Sequence, residues 1–296
     1  MKKALLVLFL TLTAAFTPIA AKYAVNSISP LSLAFLRFGA ATFMLLIVAR
    51  FMNVGLKIGR EDIGRFILLG ALVIPINQFC FLVGISLSEA SHSGVLYAST
   101  PLLIYLMSVK FGSEKFDRGK LASISLTIAG IFIIFYENIV SPSKPGVSYL
   151  AGDTLLFLAV ASWSVYLALS RDMVTKYGAL KTQTVSFTIG IIMFIPVFLY
   201  DMKNLSFQSS DFMTLLAYLH LTILVAFGSY FLYSYSTKII ETSTLTTMTN
   251  LSPVITIFFS WLLLKEKFSY FFIIGASVTI AGVFYAQRFS RRELRN

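Results

Sequence analysis

Charge is scarce in this chain. Only 12% of its 296 residues are Asp, Glu, Lys or Arg, about half the share of a soluble domain. Hydrophobic residues make up 57%, and the mean hydropathy is +0.82. So much apolar surface cannot be hidden in a water-facing fold of this size, so the bilayer must act as part of the solvent. Cysteine is nearly absent. Cys80 stands alone inside an apolar run, which excludes an internal disulfide framework and a cysteine-based zinc site. The two histidines, His92 and His220, lie far apart, and an ordinary satisfied or interfacial imidazole is expected at each. There is no His-Glu-x-x-His helix and no Gly-x4-Gly-Lys-[Ser/Thr] loop, and no soluble segment is long enough for a nucleotide-binding domain. Metal-dependent hydrolysis and ATP-driven transport are therefore excluded, and no cofactor or metal is expected. Acids are also under-represented, 13 against 24 Lys and Arg, for a net charge of +11. The basic residues sit in short clusters at the ends of hydrophobic runs, which signals membrane topology and not a nucleic-acid partner.

What the chain does contain is itself, twice. Glu89, Ser91, Pro101, Ser108, Glu114, Lys115, Phe116, Thr127, Gly130 and Phe132 recur without a gap, 152 residues later, as Glu241, Ser243, Pro253, Ser260, Glu266, Lys267, Phe268, Thr279, Gly282 and Phe284. Apolar segments fall at about 4–24, 31–51, 64–86, 91–111, 119–136, 151–170, 183–201, 212–236, 243–264 and 269–287. Several approach the roughly 20 residues needed to cross the hydrocarbon. The expected fold is an all-α membrane protein of ten transmembrane helices, arranged as two inverted five-helix repeats. Residues 1–140 form the first repeat, 141–150 a linker rich in Ser and Pro, and 151–296 the second repeat with a basic tail. Met1-Lys2-Lys3 and the run behind it resemble a secretory signal. Its counterpart at 154–171 identifies it instead as a retained span.

Counting Lys and Arg by side orients the chain. With the N-terminus in the cytoplasm, 18 fall inside and 5 outside, and Arg37 remains within a span. Both termini are thus expected in the cytoplasm of a multi-pass cell-membrane protein. Five spans per copy turn the second copy upside down, an arrangement typical of secondary transporters.

The stretch Asn250-Leu-Ser-Pro253 through Trp261 to Lys265-Glu266-Lys267, followed by Gly275 and Ala281-Gly282-Val283, resembles the EamA family of the drug/metabolite transporter superfamily. Ser99-Thr100-Pro101-Leu102, Glu114-Lys115 and Ala129-Gly130-Ile131 are the first-half counterpart. A Trp followed eight residues later by a basic residue, also a family feature, is kept as Trp163 and Arg171. In the first copy it becomes Ala14 and Lys22. The resemblance implies a proton-linked or facilitated carrier, often an exporter, for small polar metabolites such as amino acids. The path would run through a central cavity between the halves. The alternative is proton-coupled efflux of lipophilic cations. The expected partners are a small-molecule substrate and the lipid bilayer. Oligomeric state is open, although ten spans can enclose a path within a monomer.

Polar groups at membrane depth are costly unless paired or wet, so each is a candidate. On the ninth span Thr242, Thr246, Thr249 and Asn250 share one helical side with Pro253; their counterparts include Tyr97 and Pro101. They fit a cavity lining and equally fit close helix packing. Asn77 and Gln78 on the third span, matched by Ser229 and Tyr230 on the eighth, supply donors and acceptors for a zwitterionic or amide-bearing solute. Trp163 and Tyr166 offer an aromatic wall. Tyr233 and Tyr235 read as packing or belt residues. Arg37 needs a partner, either structural, such as Glu89, or a substrate carboxylate. Glu89 and Glu241 are placed to cap helix N-termini. Glu89 with His92, three residues on, is the alternative proton-relay pair.

Overall fold

The computed structural model describes residues 2–110, 118–140, 149–204, 212–232 and 251–293. Glu114, Lys115, the linker at 141–148, Tyr233, Tyr235, Glu241, Thr242, Thr246, Thr249 and Asn250 lie outside the described residues. Those described form helices and their connections, with no strand among them. The helices are α1 (Lys2–Val25), α2 (Pro30–Phe51), α3 (Ile63–Ala71), α4 (Asn77–Leu87), α5 (Ala90–Ala98), α6 (Thr100–Lys110), α7 (Arg118–Val140), α8 (Tyr149–Tyr177), α9 (Ala179–Asp201), α10 (Phe212–Leu219), α11 (Ser252–Leu264) and α12 (Tyr270–Glu293). A helix satisfies its own backbone, which a hydrocarbon solvent demands. Seven helical runs are long and apolar enough to cross a membrane, and two shorter apolar helices, Ser252–Leu264 and Tyr270–Tyr285, accompany them. Large side chains such as Phe43, Phe132, Ile192, Leu199 and Phe258 face outward. In water such a surface would be a liability; against lipid it is the expected one.

Two irregularities position the polar side chains. α3 and α4 are joined by a π-helical segment, Leu72–Ile76, and α10 runs into a second one, His220–Ser229. The repeat spacing carries 72–76 onto 224–228, so the two segments coincide. Pro75 lies in the first, and Phe227 is its equivalent in the second, so proline is not their shared cause. Inserted turns of this kind cluster at functional sites. The second irregularity is a turn at Ser99 between α5 and α6, matched by a turn at Leu251 before α11. Each lies two residues before a proline, Pro101 or Pro253. A proline ring cannot donate a hydrogen bond and crowds the carbonyl four residues back. Ser99 closes its own turn by donating Oγ–H to the Leu96 carbonyl at 2.6 Å.

Packing repeats the sequence equivalences. α7 and α12 make the most extensive helix–helix contact. A Cβ on Gly130 would come within 2.6 Å of the Gly275 carbonyl and of the Thr279 amide nitrogen. A Cβ on Gly282 would come within 2.8 Å of the Thr127 amide nitrogen and 3.0 Å of the Ser123 carbonyl. Gly130 and Gly282 are repeat mates, as are Thr127 and Thr279, so one contact is made twice in opposite senses. Elsewhere α4 packs on α8, α2 and α3 on α9, and α11 on α1 and α5. The core at the α2–α9 seam holds the fully buried Phe38, Phe187 and Phe194.

Candidate functional site

Two buried polar clusters among the described residues hold the candidate side chains. The first is central. α2 carries Arg37 into it, 1% exposed, with the guanidinium carbon 4.9 Å from the Phe38 ring centroid. Tyr97, Tyr218 and Tyr230 act on it electrostatically. Its Nε and Nη1 have no hydrogen-bond partner, and no described carboxylate pairs with it. The expected structural pairing with Glu89 is therefore not made.

The first π segment delivers Asn77 and Gln78 to the same place at the start of α4. Asn77 Nδ2 donates to the Ala159 carbonyl of α8 at 2.7 Å, and Asn77 Oδ1 accepts from Gln78 Nε2 at 2.5 Å. Asn77 and Gln78 lie near enough to Tyr97 and Tyr230, respectively, to influence their hydroxyls. Gln78 Oε1 is left without a partner. Nearby, Ser162 Oγ–H donates to the Leu72 carbonyl at 2.7 Å, tying the π segment to α8.

Aromatic rings close the wall. Trp163 and Tyr166 stack with centroids 5.3 Å apart, and Tyr230 stands edge-on to Trp163 at 4.9 Å and to Phe187 at 5.4 Å. Tyr97 stands edge-on to Phe81 at 5.9 Å. Arg37, Asn77, Gln78, Tyr97, Trp163, Tyr166 and Tyr230 thus form one contiguous group drawn from α2, α4, α5, α8 and the end of the second π segment. Thr246 and Asn250 fall outside the described residues.

Two further polar residues escape a sequence reading. Tyr218 contacts the Leu36 carbonyl through its hydroxyl at 3.4 Å. Gln183 is buried on α9, one turn before Phe187, and neither of its amide atoms has a partner. An amide inside an apolar span was the available signal for Gln183, by the same logic that selects Asn77. Native interiors satisfy nearly all buried polar atoms. Here the unspent capacity includes Arg37, Gln78 and Gln183.

The second cluster lies at the corner between α4 and α5. His92 Nδ1 is 2.9 Å from Oδ2 of Asp153, which is fully buried on α8. The imidazole stacks on Phe272 at 4.9 Å. Ser88 Oγ–H donates to Asp153, and Lys22 Nζ donates to the carbonyls of Ile85, at 2.9 Å, and Ser88. Glu89 lies close enough to Tyr149 to act on it electrostatically. Its expected capping role is not met, because its side chain makes no cap hydrogen bond. The N-terminus of α5 is capped instead by Glu266 from the far end of the chain. The amides of Ala90 and Ser91 donate to its two carboxylate oxygens at 2.7 and 3.1 Å. His92 likewise takes Asp153 as its hydrogen-bond partner in place of Glu89. Burial and the neighbouring Glu266 push the Glu89 carboxyl above the usual carboxylate range. No group of three His, Cys, Asp or Glu side chains suited to a metal ion occurs among the described residues.

Comparison with known proteins agrees with a membrane bundle. The profile of the EamA-like transporter family matches residues 1–136 and again 150–286. A Bacillus subtilis (strain 168) protein named as the uncharacterized transporter YyaM is 26% identical over 268 residues, covering 90% of this chain and 87% of its own. An uncharacterized transporter of Archaeoglobus fulgidus is 27% identical over 269 residues, covering 89% of each chain. A protein of known crystal structure shares the fold, with a TM-score of 0.67 and 16% identity over 98% of both chains. With the profile matched across both parts of an apolar helical bundle, this chain belongs to the EamA-like transporter family.

Proposed function

We propose that the protein is a secondary carrier that exports small polar metabolites, amino acids among them, by alternating access. Residues 1–140 and 151–296 would be two five-span halves of opposite orientation, with both termini in the cytoplasm. The reciprocal Gly130–Thr279 and Gly282–Thr127 contacts and the coincident π segments support that reading. So does the excess of Lys and Arg on one side of the ten expected spans. The halves would rock about the central cluster, opening it to each side in turn.

The observation that carries the proposal is the central group itself. Hydrogen-bonding atoms without partners stand beside an aromatic wall in the middle of an apolar bundle. A packing role would leave those atoms satisfied; a solute cavity requires them open. A guanidinium at its heart repels a lipophilic cation, so the cation-efflux alternative is disfavoured.

The test is counterflow in proteoliposomes with amino acids, neutral metabolites and lipophilic cations. Exchange of a polar solute that is lost in Gln78→Ala and Trp163→Ala, both still folded, supports the carrier and its site. Failure of every solute class to exchange in the wild-type protein overturns it.

A further inference from the structure

The central guanidinium has a cost that the fold itself does not recover. An arginine at membrane depth costs at least about 2.5 kcal/mol on insertion scales, so it is ordinarily paired or in contact with water. Arg37 is 1% exposed. No described carboxylate approaches it, and two of its nitrogens carry unshared N–H groups. The phenols that act on it electrostatically, Tyr97, Tyr218 and Tyr230, cannot neutralise it at physiological pH. The ion pairs found among the described residues lie elsewhere, at His92–Asp153 and at Lys176 with Glu61 and Asp62.

We infer that Arg37 is the anion-recognition residue of the central cluster, and that the transported solute presents a carboxylate to it. This rests on the carrier reading above. The charge count favours a monoanion, because one guanidinium with no second described cation beside it balances one negative charge. Arginine pairs with a carboxylate through charge-assisted hydrogen bonds, about twice as strong as neutral ones. The hydroxyls of Tyr97 and Tyr230, which act electrostatically on the guanidinium, would donate to the oxygen that Arg37 does not bind. The rest of the solute then lies along Tyr230 toward Trp163 and Tyr166, a stacked pair suited to a planar or cationic end. Gln78, whose Oε1 is open between these two ends, accepts a donor from the middle of the molecule.

The experiment is thermal unfolding of the detergent-purified full chain with matched probes: indole-3-acetate against indole-3-acetamide, and L-phenylalanine against L-phenylalaninamide. Ligands that bind the folded state raise the melting temperature by mass action. The carboxylates are expected to raise it more than their amide mates. Arg37→Gln should lose that preference, and without ligand it should melt at or above the wild-type temperature, because an uncompensated buried charge has been removed. Arg37→Lys should keep the preference with smaller shifts. Equal shifts from acid and amide overturn the inference, as does a carboxylate shift that survives in Arg37→Gln. It is also overturned if unliganded Arg37→Gln melts well below wild type while Arg37→Lys restores it, since that behaviour marks a structural arginine. None of these outcomes touches the carrier reading, which fails only if proteoliposomes exchange no solute of any class.

Discussion

Lys176 Nζ lies 2.5 Å from Asp62 Oδ2, whereas in the matching places of the other half the hydroxyls of Ser27 and Thr214 lie 3.1 Å apart. The match follows the repeat. Ser27 stands to Lys176 as Lys22 stands to Arg171, and Asp62 stands to Thr214 as Asn77 stands to Ser229. Around the ionic contact, the Tyr177 hydroxyl donates to Asp62 at 2.6 Å and accepts from the Gly59 amide at 3.0 Å, and Glu61 lies 3.2 Å from Lys176. One fold therefore joins two equivalent residue pairs with different chemistry, an ion pair in one and a hydroxyl pair in the other.

The ion pair should hold its end of the bundle closed. Asp62→Asn with Lys176→Met is expected to raise the labelling rate of a cysteine placed beside Gly59 several-fold. High salt should raise it only modestly in the wild type, since the exposed Lys176–Glu61 pair is screened and the half-buried Lys176–Asp62 pair much less so. Ser27→Ala should leave that rate unchanged. Labelling kinetics in membrane vesicles, with reagent on the proposed cytoplasmic side, would measure this. Equal rates in all variants would remove the latch from the mechanism.

The α7–α12 contact makes a symmetry-like prediction. Gly130→Ala and Gly282→Ala each drive a methyl toward a backbone atom of the partner helix. Overpacking of this kind costs about 1–3 kcal/mol. Because the two sites are reciprocal, their melting temperatures should fall by similar amounts. Gly39→Ala, with nothing within 4 Å of the added Cβ, should not fall, and by helix propensity it could gain up to about 1 kcal/mol. Differential scanning calorimetry in one detergent decides the ordering.

Glu89 offers a pH test. Its carboxyl is pushed up by burial first and by Glu266 second. A raised folded-state pKa means that the folded protein binds the proton more tightly than the unfolded chain. Its destabilising contribution is therefore absent at low pH and develops as pH rises through the ordinary carboxylate value of about 4.3. Glu89→Gln should raise the melting temperature near neutrality, and the gain should fade as the pH is lowered toward that value. A gain independent of pH would mean that the charge is not its cause.

Asn77 and Gln78 should separate under mutation. Asn77→Ala strips a hydrogen bond from the buried Ala159 carbonyl and is expected to cost about 1–3 kcal/mol of stability. Gln78 Oε1 holds no partner, so Gln78→Ala should cost less in melting temperature and more in solute affinity. Parallel melting and binding curves for the two variants test the split.

Much of this was legible in one dimension. Helical spans were visible as apolar runs because lipid forces every spanning backbone to satisfy itself. The turns at Ser99 and Leu251 were signalled by Pro101 and Pro253, because a proline acts on its own helix. The equivalences linking Gly130 with Gly282 needed only the chain compared with itself. Partner choice was not legible. Glu89 looked like the cap of α5 because it sits beside it, yet Glu266, 176 residues away from Ala90, takes that role. Asp153 was passed over, and His92 was matched with its sequence neighbour. Arg37 was visibly a buried charge, but nothing local could reveal that it lacks a described acid. Local sequence determined which segments are helices, where they break, and which polar groups sit within the spans. Only the tertiary structure decided which of those groups satisfy one another and which stay open, because hydrogen-bond and ion-pair partners are chosen by proximity across helices that the chain brings together from distant positions.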